Sequence, residues 1–164
     1  MTDNYGKKAL HALNPLGGQP VRTIDVGANP GQHLLVSPSG RLYIVGSDRI
    51  ITYQLGTGNP VQAPALVKDL QLTNLNPKNA PTLGPDGSLY LVNGQEVYGF
   101  NPDLQELWKV TLDASTTSGL TVGPSGRFVY LTAKMEGLIA INAQTGESLK
   151  KPLPNQDDLK RADD

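Results

Sequence analysis

The chain of 164 residues has no cysteine, one tryptophan, two phenylalanines and a net charge of −1. Without cysteine it can carry neither a disulfide framework nor a thiolate nucleophile or metal site. With 14 basic against 15 acidic residues and no basic stripe, it lacks the electrostatic footprint of a nucleic-acid-binding protein. No run approaches the ~18 apolar residues of a membrane-spanning helix. The opening stretch "MTDNYGKKALHALN" has no apolar core of the kind a signal peptide needs, so none is expected.

What the chain has in quantity is punctuation: 18 glycines and 13 prolines, too many for a helical protein and suited to one that turns often. The turns recur. "LLVSPSGRLYIVGSDRIITYQL" begins at Leu34, "PTLGPDGSLYLVNGQEVYGF" at Pro81 and "LTVGPSGRFVYLTAKMEGLIAI" at Leu120. Their turn glycines, Gly40, Gly87 and Gly126, are 47 and 39 residues apart. A second register, Leu10, Ile50, Val97 and Leu138, steps by 40, 47 and 41. A period near 40 to 50 residues with several short strands per unit marks a propeller blade.

Each unit follows from turn chemistry. In "SPSG", "GPDG" and "GPSG", Pro supplies φ near −65°, Ser or Asp follows, and Gly takes the left-handed position. This predicts an inner strand (Leu34–Val36, Thr82–Leu83, Leu120–Val122) turning into a second (Leu42–Val45, Leu89–Val92, Phe128–Leu131). A third follows at Ile50–Leu55, Val97–Phe100 and Leu138–Ile141, and an outer strand at Val61–Val67, Leu107–Leu112 and Ser148–Leu153. The second strand reads as almost continuously apolar, which suits a mid-sheet strand buried on both faces. A plain antiparallel sandwich also has short strands at regular spacing, but has no reason to repeat one turn three times.

The fold expected is all-β and β-propeller-like, with about three four-stranded antiparallel blades plus a half blade. The propeller segment spans 9–153: a half blade at 9–26, built from Leu10–Leu13 and Val21–Val26, then blades at about 32–68, 80–112 and 119–153. Tails at 1–8 and 154–164 flank it. Rings close with about four to eight blades, so an arc of this size would leave apolar blade faces and a strand edge open. Three explanations fit: a fragment of a longer propeller, self-association, or docking onto another protein chain.

"VYGFNPDLQELWKVTL" resembles the quinoprotein-type (PQQ-like) repeat, in which a short strand, an Asn or Asp, a turn and a Trp-bearing strand follow in order. "LIAINAQTGESLKK", "ALHALNPLGGQPVRTIDV" and, more loosely, "IITYQLGTGNPVQAPALV" match the same register. "SPSGRLYIV" resembles the turn of YncE-like and SMP-30-like propellers. Only Trp108 keeps the tryptophan; the aligned positions are Val21, Val61 and Leu149. The resemblance covers residues 9–153 and by itself favours an extracytoplasmic location. It also implies an alternative function. A quinoprotein dehydrogenase would need a quinone pocket lined by aromatic and acidic side chains. An SMP-30-like lactonase would need a Glu/Asn/Asp metal set, to which Asn79 and Glu96 could contribute.

In a blade the fourth-to-first and second-to-third strand connections emerge on one face, around the mouth of the central channel. Here these loops carry the candidate ligand-binding residues Gln32, His33, Asp48, Arg49, Asn79, Glu96, Lys134 and Glu136, with Asn29, Asn76, Lys78 and Thr117 beside them. Polar groups converging on a concave mouth suit a small polar ligand or a peptide, although surface loops are polar in any case. His33 as a general base would need a carboxylate to orient it, and Asp48 is the nearest in blade space. His11 is expected to pack. Asp48 and Arg49 read most simply as a hairpin ion pair, Asp86 as a turn residue, and Trp108 as packing against the adjacent blade rather than as a carbohydrate platform. No loop has calcium spacing, and two histidines in different blades make a poor zinc site. The function expected is a non-enzymatic binding scaffold with no cofactor or metal, part of a larger ring completed by another protein chain or a second copy.

Overall fold

The computed structural model describes residues 9–25, 33–55, 65–72, 75, 79–116, 118–134 and 136–151. Gln32, Asn29, Asn76, Lys78, Thr117 and Val61 lie outside them. All regular structure among the described residues is β. The chain divides into two compact units, Met1–Asn76 and Pro77–Asp164.

The first unit holds the antiparallel pair β1 (Ala9–Leu13) and β2 (Pro20–Asp25), and a four-stranded sheet. That sheet is β3 (His33–Val36), β4 (Arg41–Val45), β5 (Arg49–Gln54) and β6 (Ala65–Gln71). The second unit holds β7 (Thr82–Leu83), β8 (Leu89–Asn93), β9 (Glu96–Phe100) and β10 (Glu106–Thr111) in one sheet. Its other sheet is β11 (Thr121–Val122), β12 (Phe128–Ala133), β13 (Gly137–Asn142) and β14 (Ser148–Lys151). Every four-stranded sheet is an up-and-down antiparallel meander in chain order.

The three predicted turns form alike. Gly40 donates to the Ser37 carbonyl at 2.9 Å, Gly87 to Gly84 at 3.0 Å and Gly126 to Gly123 at 2.9 Å. The three glycines have φ of 76°, 88° and 70°, where any side chain would be strained. In the second of these turns Asp86 accepts from the Ser88 amide at 3.0 Å and from its hydroxyl at 2.8 Å, the turn role expected of it.

The outer strand of the first unit differs from expectation. It runs Ala65–Gln71, four residues later than Val61–Val67. The sequence alignment also misplaces the tryptophan register. Trp108 pairs with Gly99 and Glu106 with Phe100, which leaves Leu107 as a bulge. The same irregularity makes Lys68 pair with Thr52 in β5–β6, and Arg22 with Ala12 in β1–β2. Lys68 and Arg22, not Val61 and Val21, therefore hold the Trp108 place. Val21 falls one residue short of that place because the Asn14–Gln19 turn is one residue longer than the Asn101–Gln105 turn. Leu149 keeps its assigned place, opposite Ala140.

The core of the second unit lies between its two sheets. Tyr90, Val92, Val97, Trp108 and Leu112 pack against Val129, Leu131, Ala133, Ile139, Ile141 and Ala143. Trp108 joins them. Its indole Nε1 donates to the Ala143 carbonyl at 2.8 Å, and its ring stacks on Tyr90 with centroids 5.8 Å apart. A Cβ on Gly99 would overlap the indole, and one on Gly146 would lie 2.8 Å from the Trp108 Cβ. Glycine on both sides lets the ring lie flat between the sheets. The outer-strand tryptophan is thus a sheet-to-sheet packing residue, as expected. In the first unit, Leu42, Ile44 and Ile51 form a smaller cluster onto which Leu10 of β1 packs.

Candidate functional site

The outer-to-inner connection and the middle hairpin meet at one end of each sheet. Leu72 donates to the Asp48 carbonyl at 2.8 Å in the first unit, and Leu112 to the Gln95 carbonyl at 2.9 Å in the second. The described candidate residues of each unit fall at this end, and two of them, Asn79 and Glu136, are engaged in holding a loop.

In the second unit the segment 113–118 is braced from both sides. Asn79 Nδ2 donates to Thr116 Oγ1 at 3.1 Å and to the Ser118 carbonyl at 3.0 Å. Glu136 Oε1 accepts from the Ala114 amide at 2.8 Å, and the Lys134 amide donates to the Ser115 carbonyl at 3.1 Å. Ser118 Oγ accepts from the Thr132 amide at 2.9 Å. Asn79, Lys134 and Glu136 are brought to one place, where Asn79 and Glu136 act as loop braces. Lys134 is exposed.

Glu96 belongs to a different cluster. It accepts from Lys109 Nζ at 2.7 Å and from the Tyr98 hydroxyl, and Lys109 Nζ lies 5.6 Å from the Tyr98 ring centroid. These bonds, Lys109 first and Tyr98 second, hold the Glu96 carboxyl below the usual carboxylate range. The same pairing raises Lys109, whereas Tyr98 is raised by burial first and by Glu96 second. Sequence reasoning missed Tyr98 and Lys109. The signal was available, because Glu96 and Tyr98 alternate on one strand face and Lys109 pairs with Tyr98 across β9–β10.

In the first unit, His33 opens β3 opposite Val45 and is half-buried. Arg49 Nε lies 3.6 Å from Asp48 Oδ1, the expected hairpin pair, and one of its terminal nitrogens lies 3.6 Å from Asp69 Oδ2 on β6. His11 packs less than expected and instead bonds Thr23 Oγ1 through Nδ1 at 2.9 Å. Among the described residues, no group of three or more His, Asp or Glu is placed to hold a metal ion.

A recess of about 350 Å³ opens at the opposite end of the second unit. It lies between the Pro85–Asp86 and Ser125–Arg127 turns, with Asn142 and Gln144 completing its wall. Pro85 nests where a Cβ on Gly126 would sit, 2.7 Å from the Pro85 Cγ. Arg127 lies 6.0 Å from the Phe128 ring centroid. The sequence held one hint of this recess: identical turns on neighbouring sheets must end side by side. Its charged groups are one Arg and one Asp, and the Asp is already bonded to Ser88.

No protein-family model and no curated protein matches the chain. Solved structures do match. A virginiamycin B lyase from Staphylococcus aureus, crystallised as an inactive variant with quinupristin, matches at 19% identity and TM-score 0.58, covering 91% of this chain and 46% of its own. A protein from Lactobacillus plantarum matches at 16% and 0.63, covering 92% and 51%. A proposed 6-phosphogluconolactonase from Bacteroides uniformis matches at 19% and 0.61, covering 88% and 51%. With the repeated meander sheets, these likenesses define the class: an all-β, β-propeller-like fold, with three four-stranded sheets and a two-stranded one among the described residues. The chain spans about half the length of the structures it matches.

Proposed function

We propose that this chain is a non-enzymatic β-propeller segment, a protein- or ligand-binding scaffold that works as part of a larger ring. The observation that carries the proposal is an uncovered sheet face. The face of β11–β14 turned away from the core presents Leu138 and Leu149, 39% and 66% exposed, at the register positions of Val97 and Trp108, which are buried in the preceding sheet. Two more observations support it. Asn79 and Glu136 are bonded to the loops they would have to serve, and Glu96 is held by Lys109 and Tyr98. The propeller domain is proposed to run over 9–153, with repeats of PQQ-like or YncE-like kinship. Its ligand face is the loop end that carries His33, Asp48, Arg49, Asn79, Glu96, Lys134 and Glu136.

The second reading is a segment of a propeller enzyme. What favours it is that two of the similar structures are described as a lyase and a lactonase. One experiment separates the two: metal content by elemental analysis, an absorbance scan for a quinone, and turnover of quinupristin and of 6-phosphogluconolactone. The scaffold reading expects blanks throughout. Stoichiometric metal or quinone together with turnover overturns it.

A further inference from the structure

We propose that two copies of this chain dock head to tail, with the outer face of β11–β14 in one copy seated on the Asn14–Gln19 turn of the other. This docking rests on the ring-segment reading above and names the partner and both halves of the joint.

The template is the joint inside the second unit. There the outer-strand residue Trp108 covers Gly146 and donates to the Ala143 carbonyl. The turn that receives it has Gly146 donating to the Asn142 carbonyl at 2.9 Å and Asn142 donating to the Glu147 carbonyl at 2.8 Å. Asn142 Oδ1 accepts from the Gln144 amide at 2.9 Å, and Gly146 has φ of 75°.

The first unit builds the same turn. Gly18 donates to the Asn14 carbonyl at 2.7 Å and Asn14 donates to the Gln19 carbonyl at 2.9 Å. Asn14 Oδ1 accepts from the Leu16 amide at 2.9 Å, and Gly18 has φ of 65°. Here, however, a Cβ on Gly18 would meet nothing within 4 Å among the described residues. Leu16 beside it is 97% exposed, and Leu13 before it 57%. This is the receiving turn of the internal joint, rimmed by leucine and, among the described residues, without an occupant.

The matching occupant sits on β11–β14. Leu149 pairs with Ala140 as Trp108 pairs with Gly99, and Tyr130 pairs with Ala140 as Tyr90 pairs with Gly99. Each copy thus offers one occupant, in the second unit, and one receiving turn, in the first. Such a contact is heterologous, and two copies close on themselves if the rotation is two-fold.

The test is the solution mass of the full chain by light scattering over a concentration series. Circular dichroism and thermal melting confirm that each variant folds. The expected result is a concentration-dependent dimer whose dissociation constant rises at least ~10-fold, two hydrogen-bond-sized losses or less, in Leu149→Asp and equally in Leu16→Asp. Both positions are exposed within the chain, so at concentrations where the parent is monomeric both variants should melt like it. Mixing the two variants one to one should restore dimer, because one intact joint remains between them. The pair Ala140→Gly with Leu149→Trp, which copies the internal joint, should tighten the dimer.

A monomer at every concentration overturns the inference, as does a dimer that ignores Leu16→Asp, the mark of two Leu149 faces meeting. A mixture that stays monomeric overturns the head-to-tail arrangement. None of these outcomes touches the scaffold reading, which fails only by the metal, quinone and turnover assays.

Discussion

Sheets β7–β10 and β11–β14 are built from one repeat, yet their corresponding faces meet different fates. On the face that β7–β10 turns to its neighbour stand Tyr90, Val92, Val97, Gly99 and Trp108, all buried. The register places Tyr130, Thr132, Leu138, Ala140 and Leu149 at the same positions of β11–β14, and none of these is buried. The mid-sheet strands differ accordingly. Leu89, Tyr90, Leu91 and Val92 of β8 are buried in succession, whereas along β12 Val129, Leu131 and Ala133 are buried and Phe128, Tyr130 and Thr132 are half-buried. The same strand type is buried on both faces in β8 and only at alternate residues in β12. Coverage decides the burial pattern, and the residues have adapted to it: Val92 becomes Thr132, and Trp108 becomes Leu149.

The largest effect should come from breaking the buried side of this comparison. Trp108→Ala removes a ring that fills the space between Gly99 and Gly146 and leaves the Ala143 carbonyl without its donor. It should cost about 3–5 kcal/mol. Leu149→Ala, at the matching but exposed position, should stay within about 0.5 kcal/mol at concentrations where the chain is monomeric. Urea unfolding of both variants checks the contrast, and equal losses would mean that Leu149 is covered too.

A smaller effect sharpens the same comparison at the turns. Ala at Gly18 carries only the left-handed backbone strain, about 1–2 kcal/mol. Ala at Gly146 carries that strain and also pushes on Trp108, adding about 1–3 kcal/mol of overpacking. Thermal melts of Gly18→Ala and Gly146→Ala should therefore separate, with Gly146→Ala lower. Coincident melts would remove the close approach at Gly146 from the account.

The smallest effect concerns Glu96, on the face of β9 opposite Trp108. Its lowered carboxyl contributes stability above its ordinary value of 4.5, lost as pH falls through the depressed folded value. The raised Lys109 contributes below 10.5, lost as pH rises through its folded value. The pair therefore helps between those limits. The group is open to solvent, so Glu96→Gln should lower the melting temperature less than Trp108→Ala, Gly146→Ala or Gly18→Ala, and 1 M salt should remove the difference. A larger loss, or one that survives salt, would mean that the cluster is covered.

Much of the architecture was legible because its causes are local. Pro38, Pro85 and Pro124 followed two residues later by Gly place the three turns within a residue, and the alternation after them places the strands. Asn101 and Asn142, at the Asn position of the repeat that the chain resembles, cap turns, accepting from the Asp103 amide at 3.0 Å and the Gln144 amide at 2.9 Å. The outer strand of the first unit was placed too early, because its register is set by pairing with β5, with an irregularity between Leu66 and Lys68, and not by local spacing. The candidate site was legible only as a set of loops. Whether Asn79 faces a ligand or braces Thr116 is a matter of which loop lies beside it, a partner 37 residues away.

By itself, then, the sequence determined the all-β class, the three turns, the strand order and the tryptophan as a packing residue. Each of these follows from φ preferences, from period-two alternation and from the cost of exposing a large ring. Only the tertiary structure decided which polar side chains are bound to backbone, which apolar face lies uncovered, and that Gly18 and Gly146 head the same turn with opposite occupancy. Those outcomes depend on what packs against a surface, and packing partners come from parts of the chain, or from chains, that local spacing does not encode.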